Sequence, residues 1–127
     1  GVYRGFKAGS QWHRLPVPDS ALPPTSLALT LRSIFVGGDN GLWRTNDAEV
    51  WEALPALAGE QVLALATSPD AKWLAIATSE RIARTNTHGD ELTWLDGAVP
   101  NVISLAIADN GELLAGTHTD GLWHAPA

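Results

Sequence analysis

Three arginines recur at an even interval. Arg4, Arg44 and Arg84 stand 40 residues apart, and His124 takes the fourth place. A set of guanidinium forks is a common device for gripping a carboxylate. Repeat-equivalent residues lie on separate copies of a structural unit, so the spacing itself predicts solvated or structural roles. The histidines His13, His88, His118 and His124 form no His-x-x-x-His or His-Glu-x-x-His pair. His118 follows an apolar run in Thr117-His118-Thr119-Asp120-Gly121, where it either meets a ligand or completes a polar turn. Asp39-Asn40-Gly41, Asp109-Asn110-Gly111 and Asp120-Gly121 resemble ligand-rich loops but lack the spacing of a full calcium loop. Asn-Gly and Asp-Gly pairs are also ordinary hairpin chemistry, because they supply a positive φ. No phosphate loop, nucleophile elbow or carboxylate pair stands out. The chain has no Cys, which excludes disulfides, thiolate metal sites and cysteine nucleophiles. No catalytic residue, metal or cofactor is therefore assigned.

Six Trp residues are many for 127 positions. Trp12, Trp51 and Trp94 share one recurring slot, and Trp43 and Trp123 share another with Tyr3, the only Tyr. Packing explains these. Trp73 has no aromatic counterpart, since Ser33 and Leu113 stand at its 40-residue equivalents. The candidate ligand or partner contacts are thus Trp73, His118 and Asp120, with Asp39 and Glu80 on equivalent loops.

The background composition is that of a globular chain, 45% hydrophobic and 17% charged. Fourteen acidic residues face eight basic ones, for a formal charge of -6, which disfavours nucleic acid or an anionic membrane as partner. No apolar run approaches the roughly 18 residues of a membrane span, and no signal segment opens the sequence. The compartment stays undecided.

The elements that position these residues come in a repeat. Gly1-Val2-Tyr3-Arg4 returns as Gly41-Leu42-Trp43-Arg44, Arg81-Ile82-Ala83-Arg84 and Gly121-Leu122-Trp123-His124. The sequence reads as one domain of units 1–40, 41–80 and 81–120, plus an extra strand at 121–127. Leu27-Ala28-Leu29 aligns with Leu63-Ala64-Leu65 and Ser104-Leu105-Ala106. Each unit holds four short runs, in the second unit Leu42–Thr45, Val50–Leu54, Val62–Thr67 and Trp73–Thr78. Turn residues separate them, so the class is all-β. Gly59 argues against a helix over Ala56–Ala66. Two runs per unit are almost wholly apolar, which predicts cover on both faces. A gradient from small and apolar to aromatic and polar fits a propeller blade read outward from its axis. The Leu-Ala-Leu run is innermost, then Leu-Ala-Ile, then Gly-Leu-Trp-Arg, with Trp-Glu-Ala-Leu outermost.

These units resemble the Asp-box, or bacterial-neuraminidase-repeat, group of β-propellers, which includes sortilin-type, photosystem-assembly-factor-like and sialidase-like members. Their signature, Ser/Thr-x-Asp-x-Gly-x-x-Trp, joins the third strand of a blade to the fourth. Thr45, Asp47 and Trp51 keep its hydroxyl, carboxylate and indole, with Glu49 in the Gly place and one residue fewer. Thr85, Gly89 and Trp94 keep another subset, with Thr87 for Asp and two extra residues. Gly9 and Trp12 keep the later spacing, with Gly5 and Lys7 earlier. Tryptophan–aspartate repeats share the unit length but have different signatures. The resemblance implies four-stranded blades, three to a chain, and structural roles for these box residues. It also invites comparison of the arginines with the carboxylate-binding triad of sialidases. Tyr3 sits in a packing slot, not a nucleophile's place.

Propellers typically close with four to eight blades, so three leave two apolar flanks that require cover. Gly1–Arg4 and Gln11–Leu15 occupy third and outer positions, while Val102–Ala108, Glu112–Thr117 and Leu122–His124 lack an outer strand. Two chains exchanging ends would make six blades with two-fold symmetry; three chains would make nine. The expectation is a non-catalytic binding or scaffolding module. It self-associates as a homodimer and takes a protein or peptide at the ring mouth. The alternatives are a sugar-binding or glycosidase-like propeller, with Glu80, Asp39 and Asp120 as its acids, and a fragment of a larger propeller.

Overall fold

A computed structural model describes residues 1–5, 11–86, 89, 91–97 and 99–127. Every regular element is a strand apart from two single 3-10 turns, Asp19–Ala21 and Pro55–Leu57, among the described residues. The strands are β1 (Tyr3–Gly5), β2 (Trp12–Arg14), β3 (Ser26–Leu29), β4 (Ile34–Gly38), β5 (Gly41–Thr45), β6 (Glu52–Ala53) and β7 (Val62–Thr67). They continue as β8 (Trp73–Thr78), β9 (Ile82–Asn86), β10 (Leu92–Trp94), β11 (Val102–Ile107), β12 (Leu113–Thr117) and β13 (Leu122–Ala125). Four sheets result: β1-β2, β3-β4-β5-β6, β7-β8-β9-β10 and β11-β12-β13. Every neighbouring pair within them is antiparallel. They are called the first to fourth sheets below. No helix among the described residues is long and apolar enough to cross a membrane.

The apolar inner runs expected at 62–67 and 73–78 form strands with those bounds. The outer run expected over 50–54 shrinks to Glu52–Ala53, because Val50 belongs to the preceding turn. The ladders also correct the alignment of the innermost strands. Leu27 pairs with Val36 and through it with Trp43; the matching triples are Leu65–Ile76–Ala83 and Leu105–Ala115–Trp123. Leu27 therefore corresponds to Leu65 and Leu105, not to Leu63 and Ser104. A β-bulge near the start of the innermost strand contributes to the slip, between Val62 and Ala64 and again between Val102 and Ser104. The same register puts Glu112, not Leu113, opposite the Trp73 position.

Strand alternation then sorts side chains by size. On β8, Leu74 and Ile76 point to the second sheet, joining Phe35, Leu42, Leu57 and Val62. Ala75 and Ala77 point the other way, to the fourth sheet, and meet Val102, Ile107, Leu113 and Ala115. Large side chains face the preceding sheet and alanines face the following one, so the third sheet is covered on both sides. Glycine serves the same end in the second sheet. A Cβ on Gly37 would lie 2.6 Å from both Ser26 Oγ and Val62 Cγ1, so a side chain there would push Val62 away. A third cluster holds Val2, Ala21, Val36 and Trp43, and seats the first sheet over the outer half of the second.

Turns fix the sheets to one another. The Leu31 N–H donates to the Ala71 carbonyl at 3.2 Å, and the Asp70 N–H donates to Asp109 Oδ1 at 2.9 Å. The turns closing the inner hairpins of successive sheets are thus linked. The outer turn at 45–50 is held by Thr45 and Asp47. Thr45 Oγ1 accepts from the Ala48 N–H at 3.0 Å, and Asp47 Oδ1 accepts from the Glu49 and Val50 N–H groups at 2.9 Å each. Ala48 takes a φ of 67°, the left-handed conformation this turn demands. The Val50 N–H, the Glu49 N–H and the Thr45 hydroxyl together hold the Asp47 carboxyl below its ordinary value. Asp70 is lowered too, first by the Ser68 hydroxyl and then by the Lys72 N–H.

Two expectations follow from this packing and these turns. Ile76→Ala removes a side chain with no exposed surface and should cost about 2–5 kcal/mol in denaturant titration. Ala75→Leu, on the alanine face, should destabilise by about 1–3 kcal/mol through overpacking. A depressed folded-state pKa contributes stability that is complete above the unfolded value and is lost as pH falls through the folded one. Thermal midpoints should therefore drop below about pH 4, the ordinary carboxylate range. Asp47→Asn or Asp70→Asn should flatten that acid limb while lowering the midpoint at neutral pH.

Candidate functional site

The second and third strands of three sheets are joined by turns at one end of the molecule, and these turns carry most of the residues singled out from sequence. Asp39 lies between β4 and β5, Glu80 between β8 and β9, and His118 and Asp120 between β12 and β13. All four are exposed. Gln61 links two of the turns: its Nε2 donates to Asp39 Oδ1 at 3.3 Å, and its carbonyl accepts the Ser79 N–H at 3.1 Å. Threonines shape the second and third of these turns from within. Thr78 Oγ1 accepts from the Glu80 and Arg81 N–H groups, and Thr117 Oγ1 accepts from the Asp120 N–H. The His118 N–H donates to the Asn101 carbonyl at 3.0 Å, tying its turn to the chain entering β11. The acids thus share an end of the molecule on separate sheets. Among the described residues, no three His, Cys, Asp or Glu side chains group as a metal site.

Trp73 sits elsewhere. Its indole N–H donates to the Asp109 carbonyl at 3.1 Å, and its ring lies against Gly111, whose added Cβ would be 3.4 Å away. The ring roofs the turn of the next sheet. Arg44 and Arg84 are likewise occupied between strands and sheets, while Arg4 lines a cavity on one flank. Arg44 Nε meets Glu52 Oε1 at 2.6 Å. Arg84 Nη1 donates to the carbonyls of Gly111 at 2.6 Å and Pro126 at 3.0 Å, which pins the end of the fourth sheet. His124 Nε2 lies 3.0 Å from Glu112 Oε2. Arg81, which sequence reasoning passed over, stacks 3.5 Å above the Trp94 ring and pairs with Glu60 at 3.0 Å.

The box-like residues have structural surroundings. Thr45 and Asp47 hold the turn described above, and Trp51 is half-buried beside Trp43. Thr85 Oγ1 donates to the Glu91 carbonyl at 2.6 Å. Gly89 has a φ of 75° and packs so closely on the second sheet that a Cβ would be 3.1 Å from Phe35. Trp94 packs against the core of that sheet pair. Trp12 is largely exposed on β2. Gly9, along with Lys7, Thr87 and His88, lies outside the described residues.

A concavity lies on a flank, away from those loops. A cavity of about 780 Å³ separates the first sheet from the inner half of the second. Tyr3, Arg4 and Gly5 line one wall, and Leu27, Leu29 and Ile34 line the other. β1 has a partner on one edge only, β2, so the edge facing the cavity is unpaired among the described strands. Leu29 is 64% exposed here, although the register gives it the same facing as Ile107, which is buried. On the opposite flank, the fourth sheet leaves Ile103 63% exposed, with Leu114 and Ala106 beside it. Two open apolar flanks are what the three-unit count leads one to expect; the large/small alternation along the inner strands was a further signal that repeat spacing did not use.

The sequence matches no protein-family profile, and no curated protein matches it. Among solved structures, the chain is similar to the crystal structure of an ancestral GH74 enzyme, with a TM-score of 0.64 and 14% sequence identity. The similarity covers 91% of this chain and 19% of that one, so the chain spans about a fifth of the enzyme's length. At this identity the likeness speaks to architecture alone, and it places the all-β fold in the β-propeller class.

Proposed function

We propose that the chain is a half-ring scaffold: three blades whose flanks are covered by a second copy, giving a six-bladed, non-catalytic binding module. The supporting observation is the fit between its two open faces. Inside the molecule, the alanine face of the third sheet (Ala64, Ala75, Ala77) receives the larger Ile107 and Leu113 of the fourth. The outward face of the fourth sheet carries the small Ser104, Ala106 and Gly116 beside the larger Leu114, with Ile103 exposed at its bulge. The uncovered face of the second sheet is large, with Leu27, Leu29 and Ile34. The second open face fits the first as the third sheet fits the fourth. Exposed apolar patches of this kind mark interfaces, and joining unlike flanks around a two-fold axis closes a ring without leaving an edge.

In this reading, the turns carrying Asp39, Glu80, His118 and Asp120 gather at one mouth of the ring. The three carboxylates of that rim, on a chain of formal charge -6, suit a protein or peptide bearing cationic side chains. The box-like turns belong to the opposite end and keep structural roles.

A second reading, that the chain is a section of a larger propeller, draws on its likeness to about a fifth of a longer enzyme chain. There, further blades of the same polypeptide would cover both flanks, and the mouth would serve a carbohydrate.

Light scattering after gel filtration separates the two. The half-ring scaffold should run at twice the chain mass, and Leu29→Glu, which puts a charge on the large face, should return it to the single-chain mass without unfolding it. A wild-type chain that stays at single mass across accessible concentrations would overturn the half-ring. For the mouth, a lysine-rich peptide should bind several-fold more weakly to an Asp39→Asn/Asp120→Asn variant. Binding confined to neutral oligosaccharides would instead favour the carbohydrate reading.

A further inference from the structure

The half-ring has room for only one third strand at each junction, yet the chain carries two. β1 and β13 occupy the same repeat position: Val2, Tyr3 and Arg4 correspond to Leu122, Trp123 and His124. β1 already sits in the third-strand place beside the second sheet, with its free edge turned to the cavity. β13 sits in the third-strand place beside β12. When the fourth sheet of one copy enters the cavity of the other, both strands cannot pair with the same edge of β12.

Resting on the half-ring reading, we infer that β13 is a placeholder: in the assembled ring it leaves β12, and β1 of the second copy takes its edge. The two strands are held unequally. Val2 is 4% exposed, packed with Ala21, Val36 and Trp43, and its carbonyl accepts the Leu15 N–H at 2.8 Å. Its counterpart Leu122 is 72% exposed, and Trp123 and His124 are exposed as well. Apart from Ala125, which packs against the core of the third and fourth sheets, losing β13 uncovers little, whereas displacing β1 with the adjoining Val2 opens a packed cluster.

Charge points the same way. His124 lies over Glu112, but imidazole carries charge only when protonated. In the exchanged ladder, Arg4 takes the His124 place and brings a permanent cation to Glu112. The cavity wall fits the incoming pair too. With β12 along β1, the register Ala115↔Trp123 becomes Ala115↔Tyr3, and Leu114 and Ala106 turn toward Leu27 and Leu29. The bonds that β13 gives up include that between Arg84 and the Pro126 carbonyl, while the Arg84 bond to Gly111 is untouched.

The absence of native Cys makes the test direct. Opposed residues in an antiparallel pair lie about 4.5–5.5 Å apart at Cα, within disulfide reach. Tyr3→Cys/Ala115→Cys should form a disulfide-linked dimer under oxidation, seen on a non-reducing gel. Ala115→Cys/Trp123→Cys should close within one chain, hold β13 in place, keep the protein at single mass, and release dimer on reduction. Circular dichroism of both variants when reduced checks that each is folded. If wild type never doubles its mass, the half-ring itself fails. If wild type doubles its mass but the first variant does not cross-link between chains, or the oxidised second variant still dimerises, then the half-ring stands and the strand exchange is overturned.

Discussion

The structure depends on sheets whose two faces differ in size. An antiparallel strand sends successive side chains to opposite faces. When both faces are buried, the sequence must specify two packing surfaces at once. β8 does so with Leu74 and Ile76 on one side and Ala75 and Ala77 on the other. Sheets normally pack about 10 Å apart, and sheets arranged radially must come closer where they converge. Alanine and glycine permit that approach, and leucine and isoleucine fill what remains. Gly37, with Val62 pressed against it, is the tightest such contact in the second sheet.

Polar groups complete what size sorting begins. A stack of sheets held by apolar contact alone slides easily, because the hydrophobic effect is non-directional. Hydrogen bonds between turns resist sliding. Leu31 to Ala71 and Asp70 to Asp109 join one end of three successive sheets, and Gln61 joins turns at the other. Trp73 belongs to this system: it covers the turn of the next sheet and gives its N–H to that turn's backbone. Arg84 does the same work further out along the sheet. Trp73 was a candidate contact in the sequence and Arg84 an expected structural residue, and both have partners inside the fold.

Much of the architecture was legible in the sequence because repetition multiplies weak signals. A single run such as Leu-Trp-Arg-Thr decides nothing, but its return at 40-residue intervals fixed the strand order and the positions of the strands at both ends. Register within the innermost strands was not legible. The bulges at 62–64 and 102–104 insert residues that composition does not flag, so Leu27 seemed to match Leu63 when its equivalent is Leu65. The fate of polar groups was partly legible. Thr45 and Asp47 carry a turn whose chemistry is local, with partners two and three residues away. The partners of Trp73 and Arg84 lie 36 and 27 residues away, beyond any local pattern. Open flanks were legible from the number of units, but the size and lining of the cavity between the first and second sheets were not, since it is made of gaps between elements.

The open flanks and the size-sorted faces are two aspects of one constraint. A sheet built to receive a small face on its large side, and to offer a small face in turn, has no natural stopping point along the stack. The third sheet shows this pattern in full, while the second offers Ala28 and Gly37 together with the larger Phe35 and Leu42. A chain with this pattern either continues until the stack curves back on itself or leaves one large and one small face bare. The bare faces here are a large one around Leu27 and Leu29 and a mixed one in which Ser104, Ala106 and Gly116 accompany Ile103 and Leu114. Closing a ring removes both together and removes the free edge of β1 as well, so face packing and edge pairing are satisfied by the same event. Capping one flank with an unrelated protein would satisfy only half of that. In the half-ring reading, cover by more of the same repeat satisfies both.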